Sequence, residues 1–60
     1  MAIYYMGAPV SVVSATDKGE HHEITVMFDG GDLRAGLRDI DLQADGAWPE
    51  ITAAVAEVVA

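Results

Sequence analysis

Residues 23–37, EITVMFDGGDLRAGL, decide the fold that the sequence predicts. Apolar and polar residues alternate along EITVMF, which is typical of a strand with one face in the core and the other towards solvent. The Asp-Gly-Gly run that follows supplies the positive backbone angles that a tight hairpin needs. We expect the apolar residues on both sides of this turn to form one core face: Ile24, Val26 and Phe28 before it, and Leu33, Ala35 and Leu37 after it.

The same strand pattern is present on both sides of this hairpin. The stretches AIYYM (2–6) and PVSVVSAT (9–16) are rich in β-branched and aromatic residues, and a Gly-Ala-Pro break separates them. In the later stretch DIDLQ, Ile40 and Leu42 continue the alternation. The sequence therefore predicts four or five short antiparallel strands within residues 2–43.

The period of the apolar residues changes from two to 3.6 near the end of the chain. Pro49 suits the first turn of a helix, and Glu50 beside it complements the positive end of the helix dipole. One apolar stripe then follows at helical spacing: Ile51, Ala54, Val55, Val58 and Val59. Trp48 stands just ahead of the stripe and is expected to anchor it. We predict a helix over about residues 49–60 that packs on the sheet.

Length and composition limit the protein to one small domain. We predict a single α+β domain over residues 1–60, an antiparallel meander with one C-terminal helix. The absence of cysteine excludes disulfides and thiolate metal sites. No apolar run reaches the ~18 residues that a membrane span requires, and the first residues lack a basic segment before a long apolar core. We expect a complete cytoplasmic protein that is stabilised by packing, with formation of a homodimer as an alternative aid.

Charge is the most unusual property of the chain. Ten acidic residues against three basic ones give a formal net charge of −7. Such a field repels nucleic acid and anionic lipid and favours basic partners, so we predict a basic, nucleic-acid-binding protein as the partner. The predicted contact residues are five acids from a segment without any base, and two from the hairpin tip: Asp39, Asp41, Asp45, Glu50 and Glu57, with Asp29 and Asp32.

The stretch GEHHE raises the question of a metal site. If it is extended, His21 and Glu23 share one face of the strand. Glu20 and His22 then share the other. Each face offers two ligands, whereas a structural zinc site needs four and a catalytic one three. We therefore predict that His21 and His22 do not bind a metal.

The sequence contains no recognisable catalytic set. Serine and threonine hydroxyls are present, but no spacing places a histidine against one of them. The run DGGD lacks both the P-loop lysine and the EF-hand ligands, which favours a hairpin turn. Asp39 and Asp41 on one strand face would suit paired acid and base roles, but a solvated face explains them better. We predict a protein that is not an enzyme and has no cofactor.

Two resemblances add to this interpretation. The segment from residue 7 to residue 43 resembles an SH3-like small barrel of the Tudor and KOW kind, through its valine-rich first strand, Gly-containing turn, VMFDGG stretch and closing RDIDL. This resemblance implies a fold and no binding residues. In size, acidity and lack of cysteine, the chain is similar to the small proteins that phages use against host defences, including anti-CRISPR proteins.

Three hypotheses for the function follow. The principal one is an inhibitor whose carboxylates imitate the phosphates of a nucleic acid and occupy a basic groove of a nuclease or CRISPR surveillance complex. The runner-up is an SH3-like module that binds a protein through exposed apolar residues. The candidates for this contact are Tyr4, Met6, Met27 and Trp48. In the third hypothesis the acidity is only an adaptation to a halophilic cytosol.

Overall fold

The computed structural model describes residues 2–45 and 48–59, which form a five-stranded antiparallel sheet and one helix. The strands are β1 (Ile3–Tyr5), β2 (Ala8–Asp17), β3 (His22–Phe28), β4 (Leu33–Leu37) and β5 (Leu42–Ala44). A one-turn 3₁₀ helix, Asp39–Asp41, precedes β5, and helix α1 spans Trp48–Val58. The predicted class, a small α+β fold with a C-terminal helix packed on the sheet, is confirmed. The strands extend one residue past the predicted limit.

The strands lie in the order β4-β3-β2-β1-β5. The first four form a meander, and β5 returns to pair with β1. Strands β4 and β5 are the edges, and no ladder joins them in the described residues. The Arg34 side chain of β4 nevertheless reaches Tyr5 of β1: its Cζ atom lies 5.8 Å from the centre of the Tyr5 ring. These two long side chains meet across the two strands that lie between β4 and β1.

Strand β1 turns into β2 through a two-residue loop. Met6 and Gly7 have φ angles of 51° and 82°, the left-handed conformation that the short primed hairpin turns require. Pro9, which the sequence analysis assigned to a break, lies inside β2. Pairing of β2 with β3 begins only at Val10, so the missing N–H of Pro9 removes no bond from that ladder.

A β-bulge changes the core face of β4. Two β3 residues that are two apart pair with Arg34 and Leu37, which are three apart, so β4 contains one extra residue. Gly36, with a φ of 76°, lies within this irregularity. The extra residue reverses the side-chain alternation: Leu37 is buried, whereas Leu33 is 64% exposed and Ala35 is also exposed. The prediction that Leu33 and Ala35 face the core is therefore wrong.

The chain after β4 forms a 3₁₀ turn where the alternation predicted a continuing strand. The backbone N–H of Arg38 donates to the Asp41 carboxylate at 2.9 Å, which caps the turn. Ile40 is consequently 76% exposed, while Leu42 at the start of β5 is buried. Because Asp39 and Asp41 belong to this turn, they do not share a strand face.

Helix α1 packs against β2 and β5 and completes the core. The buried apolar residues are Val10, Ala15, Ile24, Val26, Leu37, Leu42, Ile51 and Val55. The predicted core face of β3 is confirmed, with Phe28 partly buried at its end. Val59 extends the contact beyond the helix through a parallel bridge to Ala15 of β2. The helix begins one residue before the predicted 49–60 and ends at Val58, and residue 60 lies outside the described residues.

Candidate binding clefts

A cleft of about 300 Å³ opens where three separate segments of the chain meet. Its walls come from the β2–β3 turn, from the 3₁₀ turn with the residue before it, and from the first residue of α1. We call it the tryptophan cleft, and its lining residues are Glu20, His21, His22, Arg38, Asp39, Ile40 and Trp48. The structure thus brings together the histidine pair, Asp39 and Trp48, which the sequence analysis treated as separate features.

The β2–β3 turn presents the two histidines to the tryptophan cleft. The Asp17 carboxylate accepts a hydrogen bond from the Gly19 backbone N–H at 2.7 Å, which stabilises the turn. Because β3 begins only at His22, both Glu20 and His21 belong to the turn, and the predicted alternation along GEHHE is wrong. Both histidines are partly buried rather than exposed.

Two of the side chains that line the tryptophan cleft are apolar and exposed. Trp48 is 51% exposed, so much of the indole lies outside the core although it begins the helix. The exposed Ile40 side chain lines the same cleft. A large planar ring beside an exposed branched side chain is the kind of surface that anchors a partner in protein interfaces.

Charged groups line the same cleft. Glu20 and Asp39 contribute carboxylates, and Arg38 contributes a guanidinium. Within the described residues the ion pair is Lys18–Glu23, with an N–O distance of 3.8 Å, so the carboxylates of the cleft are not paired with a base. The cleft can therefore accept an apolar group against the indole and a cation beside the acids.

The arrangement of ligands and nucleophiles gives no support for metal chemistry or catalysis. Across residues 2–45 and 48–59, no three of the histidine, aspartate and glutamate side chains come together as a metal site. Among the described residues, serine and threonine line neither this cleft nor the groove described next. It remains a prediction that the protein binds no metal and has no enzymatic activity.

A second, smaller groove of about 210 Å³ runs between α1 and β1. We call it the α1 groove, and its lining residues are Ile3, Glu50, Ala53, Ala54 and Glu57. The four helical residues follow the i, i+3, i+4, i+7 spacing and so lie on one face of α1. The Oε2 atom of Glu50 has less than 1 Å² exposed and has no hydrogen-bond partner among the described residues.

The structure distributes the seven predicted acidic contact residues over the molecule. They are Asp29 and Asp32 in the β3–β4 loop, Asp39 in the tryptophan cleft, Asp41 in the 3₁₀ cap, Asp45 after β5, and Glu50 and Glu57 in the α1 groove. Among these seven residues, Glu50 and Glu57 both line the α1 groove. The Asp41 carboxylate already accepts a backbone hydrogen bond.

The predicted apolar contact residues occupy different surfaces. Tyr4 and Met27 lie on the outer face of the sheet with β2 between their strands, and the exposed Leu33 pairs with Met27. Met6 is 85% exposed in the β1–β2 turn. Trp48 belongs to the tryptophan cleft.

Among the seven residues of the tryptophan cleft, Asp39 and Trp48 were predicted contact residues. Sequence reasoning missed the other five: Glu20, His21, His22, Arg38 and Ile40. The position of Ile40 depends on the 3₁₀ turn, and the signal for that turn is weak. It consists of the spacing of three between Arg38 and Asp41, which is the spacing of a capping box.

Comparisons with known proteins add no family to this description. No protein-family model, no curated protein and no solved structure matches the chain. In the part of the chain that the structure describes, no helix has the length and apolar character needed to cross a membrane. The two clefts and the net charge of −7 are therefore the features of the molecule that bear on its function.

Proposed function

We propose that the protein is a non-enzymatic binding module that holds a cationic segment of a protein partner in the tryptophan cleft. One observation carries this proposal: the half-exposed Trp48 and the exposed Ile40 line a cleft that also contains the unpaired carboxylates of Glu20 and Asp39. The apolar pair supplies affinity and the acids select a cationic partner.

The apolar pair is large enough to anchor a partner. Covering the exposed parts of one indole and one isoleucine removes roughly 200 Å² of apolar surface from water, worth about 5 kcal/mol before the costs of association. The net charge of −7 attracts cations over a longer range and speeds their encounter. Aromatic side chains in such positions are common hot spots of interfaces.

Other features support a binding role and a relation to SH3-like barrels. The residues that line the two clefts include no serine, threonine or cysteine nucleophile within the described chain. The return of β5 to the side of β1 after a 3₁₀ turn supports the proposed SH3-like relation. We place the protein in the cytoplasm, where a basic nucleic-acid-handling partner would be met.

A second candidate is the acidic inhibitor that imitates nucleic acid and blocks a basic groove of a defence nuclease or CRISPR complex. The favouring observation is the segment 39–60, which carries five acids and no base. The ion pair of the described residues, Lys18–Glu23, leaves these acids uncompensated. Under this candidate the contact is spread over many carboxylates and does not depend on Trp48.

A capture experiment separates the two candidates. The full chain is immobilised, exposed to a bacterial lysate and eluted in steps of salt, and each captured protein is then purified. We expect Trp48→Ala to weaken the partner at least tenfold, because it removes the apolar anchor. The matched control Asp29→Asn with Asp32→Asn and Asp45→Asn changes charge outside the cleft and should weaken binding less than threefold. Trp48 is the only tryptophan, so its emission should shift to the blue when the partner covers it.

The opposite pattern of losses would favour the inhibitor. A partner that Trp48→Ala retains and the triple variant loses, with full release at moderate salt, identifies charge as the main contact. A partner that all variants retain contradicts both candidates. Circular dichroism of each variant excludes loss of the fold as the cause.

A further inference from the structure

We propose that its two histidines make the tryptophan cleft a pH-dependent switch: when both gain a proton, the cleft changes from attracting cations to repelling them. The inference concerns the regulation of the proposed binding site, and it rests on the proposed function for the identity of the cation that is released. The change of charge itself needs no partner and is measured separately.

Both histidines of the chain line this one cleft. The β2–β3 turn holds them there: the Lys18 backbone N–H donates to the His21 carbonyl at 2.9 Å, and His22 pairs with Asp17 at the end of the β2–β3 ladder. Each histidine is partly buried, so part of each remains in contact with solvent. Histidine is the side chain whose ordinary titration falls between about pH 5 and 8.

Protonation of the histidines reverses the formal charge of the cleft. The Glu20 and Asp39 carboxylates and the Arg38 guanidinium together give −1 when the histidines are neutral, and two imidazolium groups change this value to +1. The whole protein stays strongly negative, since its formal net charge is −7 with neutral histidines and two protons are added. The reversal is therefore local to the cleft.

The other charged groups near the histidines do not cancel this reversal. In the β2–β3 turn, Lys18 and Glu23 form an ion pair at 3.8 Å, and the Asp17 carboxylate accepts a backbone hydrogen bond. Among the described residues, the opposite walls add the uncharged Ile40 and Trp48 to the charges counted above. Carboxylates and basic side chains ordinarily titrate outside the range from about pH 5.5 to 7.5, so the histidines dominate the change in this range.

The size of the cleft makes the reversal effective. In a volume of about 300 Å³, the lining charges lie within a few ångströms of whatever occupies it. At such distances each unit of charge changes the affinity for an ion severalfold. A cation beside the indole is therefore held when the histidines are neutral and released when both are protonated, so its affinity falls as the pH falls.

The test measures the sign of the charge beside Trp48, the only tryptophan of the chain. Its emission is quenched with iodide, with caesium and with neutral acrylamide, at pH 7.5 and pH 5.5 and equal ionic strength. We expect the ratio of the iodide to the caesium quenching constant to rise at least about twofold on acidification, with the acrylamide constant unchanged. The double variant His21→Gln with His22→Gln should lose this rise. The control Asp45→Asn changes the net charge outside the cleft and should keep it.

A peptide probe measures the release of a cation that also has an apolar group. The probe is acetyl-Leu-Lys-amide, and its matched control has norleucine in place of lysine, with a similar stem and no charge. The blue shift of Trp48 emission should show a preference of at least about threefold for the lysine peptide at pH 7.5 and none at pH 5.5. The double variant should keep the preference at both pH values. If the lysine peptide is not preferred at pH 7.5, the proposed cation selectivity of the cleft is wrong, while the quenching ratio still decides the reversal of charge.

Two results would overturn the switch: a quenching ratio that does not change with pH, or a change that persists in the double variant. A parallel rise for all three quenchers also overturns it, because that result reports opening of the fold and not a reversal of charge. If circular dichroism shows that the double variant does not fold, His21→Gln and His22→Gln are measured singly. Each should then remove about half of the rise, since each removes one of the two protons.

Discussion

The tryptophan cleft and the α1 groove are built in opposite ways. The first is assembled from two turns and a helix start that lie far apart in the chain, and it combines an exposed indole with charges of both signs. The second is a stripe of alanines and glutamates along one helix, with Ile3 of one strand opposite. The groove therefore depends on helical periodicity, whereas the cleft depends on how the tertiary fold positions the turns.

Helix α1 connects the two sites. Its first residue, Trp48, lines the tryptophan cleft, and residues between Glu50 and Glu57 line the α1 groove. Its apolar face, with Ile51 and Val55 buried, holds it on the sheet. An isolated helix of this length is marginal in water, so both sites require that packing.

The largest effect is expected from Ile51→Ala, because it weakens the contact that holds α1 on the sheet. Ile51 is 1% exposed, so the truncation leaves a cavity in the core and should cost about 3 kcal/mol of the free energy of unfolding. That is a large fraction of the stability of a small domain, and both sites should be disrupted together. Urea unfolding measures the loss. The control Ala56→Ser, on the exposed side of the helix, should stay within about 0.5 kcal/mol. A loss below 1 kcal/mol for Ile51→Ala would mean that the helix is not held by this contact.

Gly36→Ala should destabilise the protein and alter the tryptophan cleft more than the α1 groove. Gly36 has a φ of 76°, and a Cβ there meets nothing within 4 Å, so the cost is that of the backbone alone, about 1–2 kcal/mol. Gly30→Ala is the matched control, because it has the same open space without a positive φ and should change stability little. The bulge at Gly36 sets the direction of the chain that leads to Arg38 and the 3₁₀ turn. Urea unfolding of both variants, with Trp48 emission as the local probe, tests this. Equal losses for the two glycines would contradict it.

Much of the fold could be predicted because its signals are local. The alternation along β3 gave the core positions Ile24 and Val26, and the apolar stripe of α1 gave Ile51 and Val55. Glu50 and Glu57, which line the α1 groove, also belonged to the predicted contact residues. Each of these features repeats with the period of its own secondary structure.

The end of β4, the 3₁₀ turn and the tryptophan cleft could not be predicted, because two irregularities interrupt the two-residue period of the strands. The residue inserted between Arg34 and Leu37 places Leu33 and Leu37 on opposite faces although they are four residues apart, so only Leu37 reaches the core. The Arg38–Asp41 cap then replaces a strand by a turn and exposes Ile40. The positions of the residues in the tryptophan cleft depend on both irregularities and on the start of the helix at Trp48. No local sequence pattern predicts that these three features meet.

The smallest predicted effect isolates that cap and changes the tryptophan cleft alone. Asp41→Ala removes the acceptor of the Arg38 N–H and should cost about 0.5–1 kcal/mol, as for the loss of an exposed helix cap. Asp39→Ala is the matched control, since its carboxylate makes no hydrogen bond among the described residues, and its effect should fall within about 0.5 kcal/mol. Hydrogen exchange of the amides of residues 38–42 should rise in the first variant only. Because the 3₁₀ turn contributes to the cleft and not to the groove, Trp48 emission should change while hydrogen exchange of the amides of residues 52–57 stays the same. If both readouts changed together, the two sites would be coupled through the sheet, and their independent construction would be refuted.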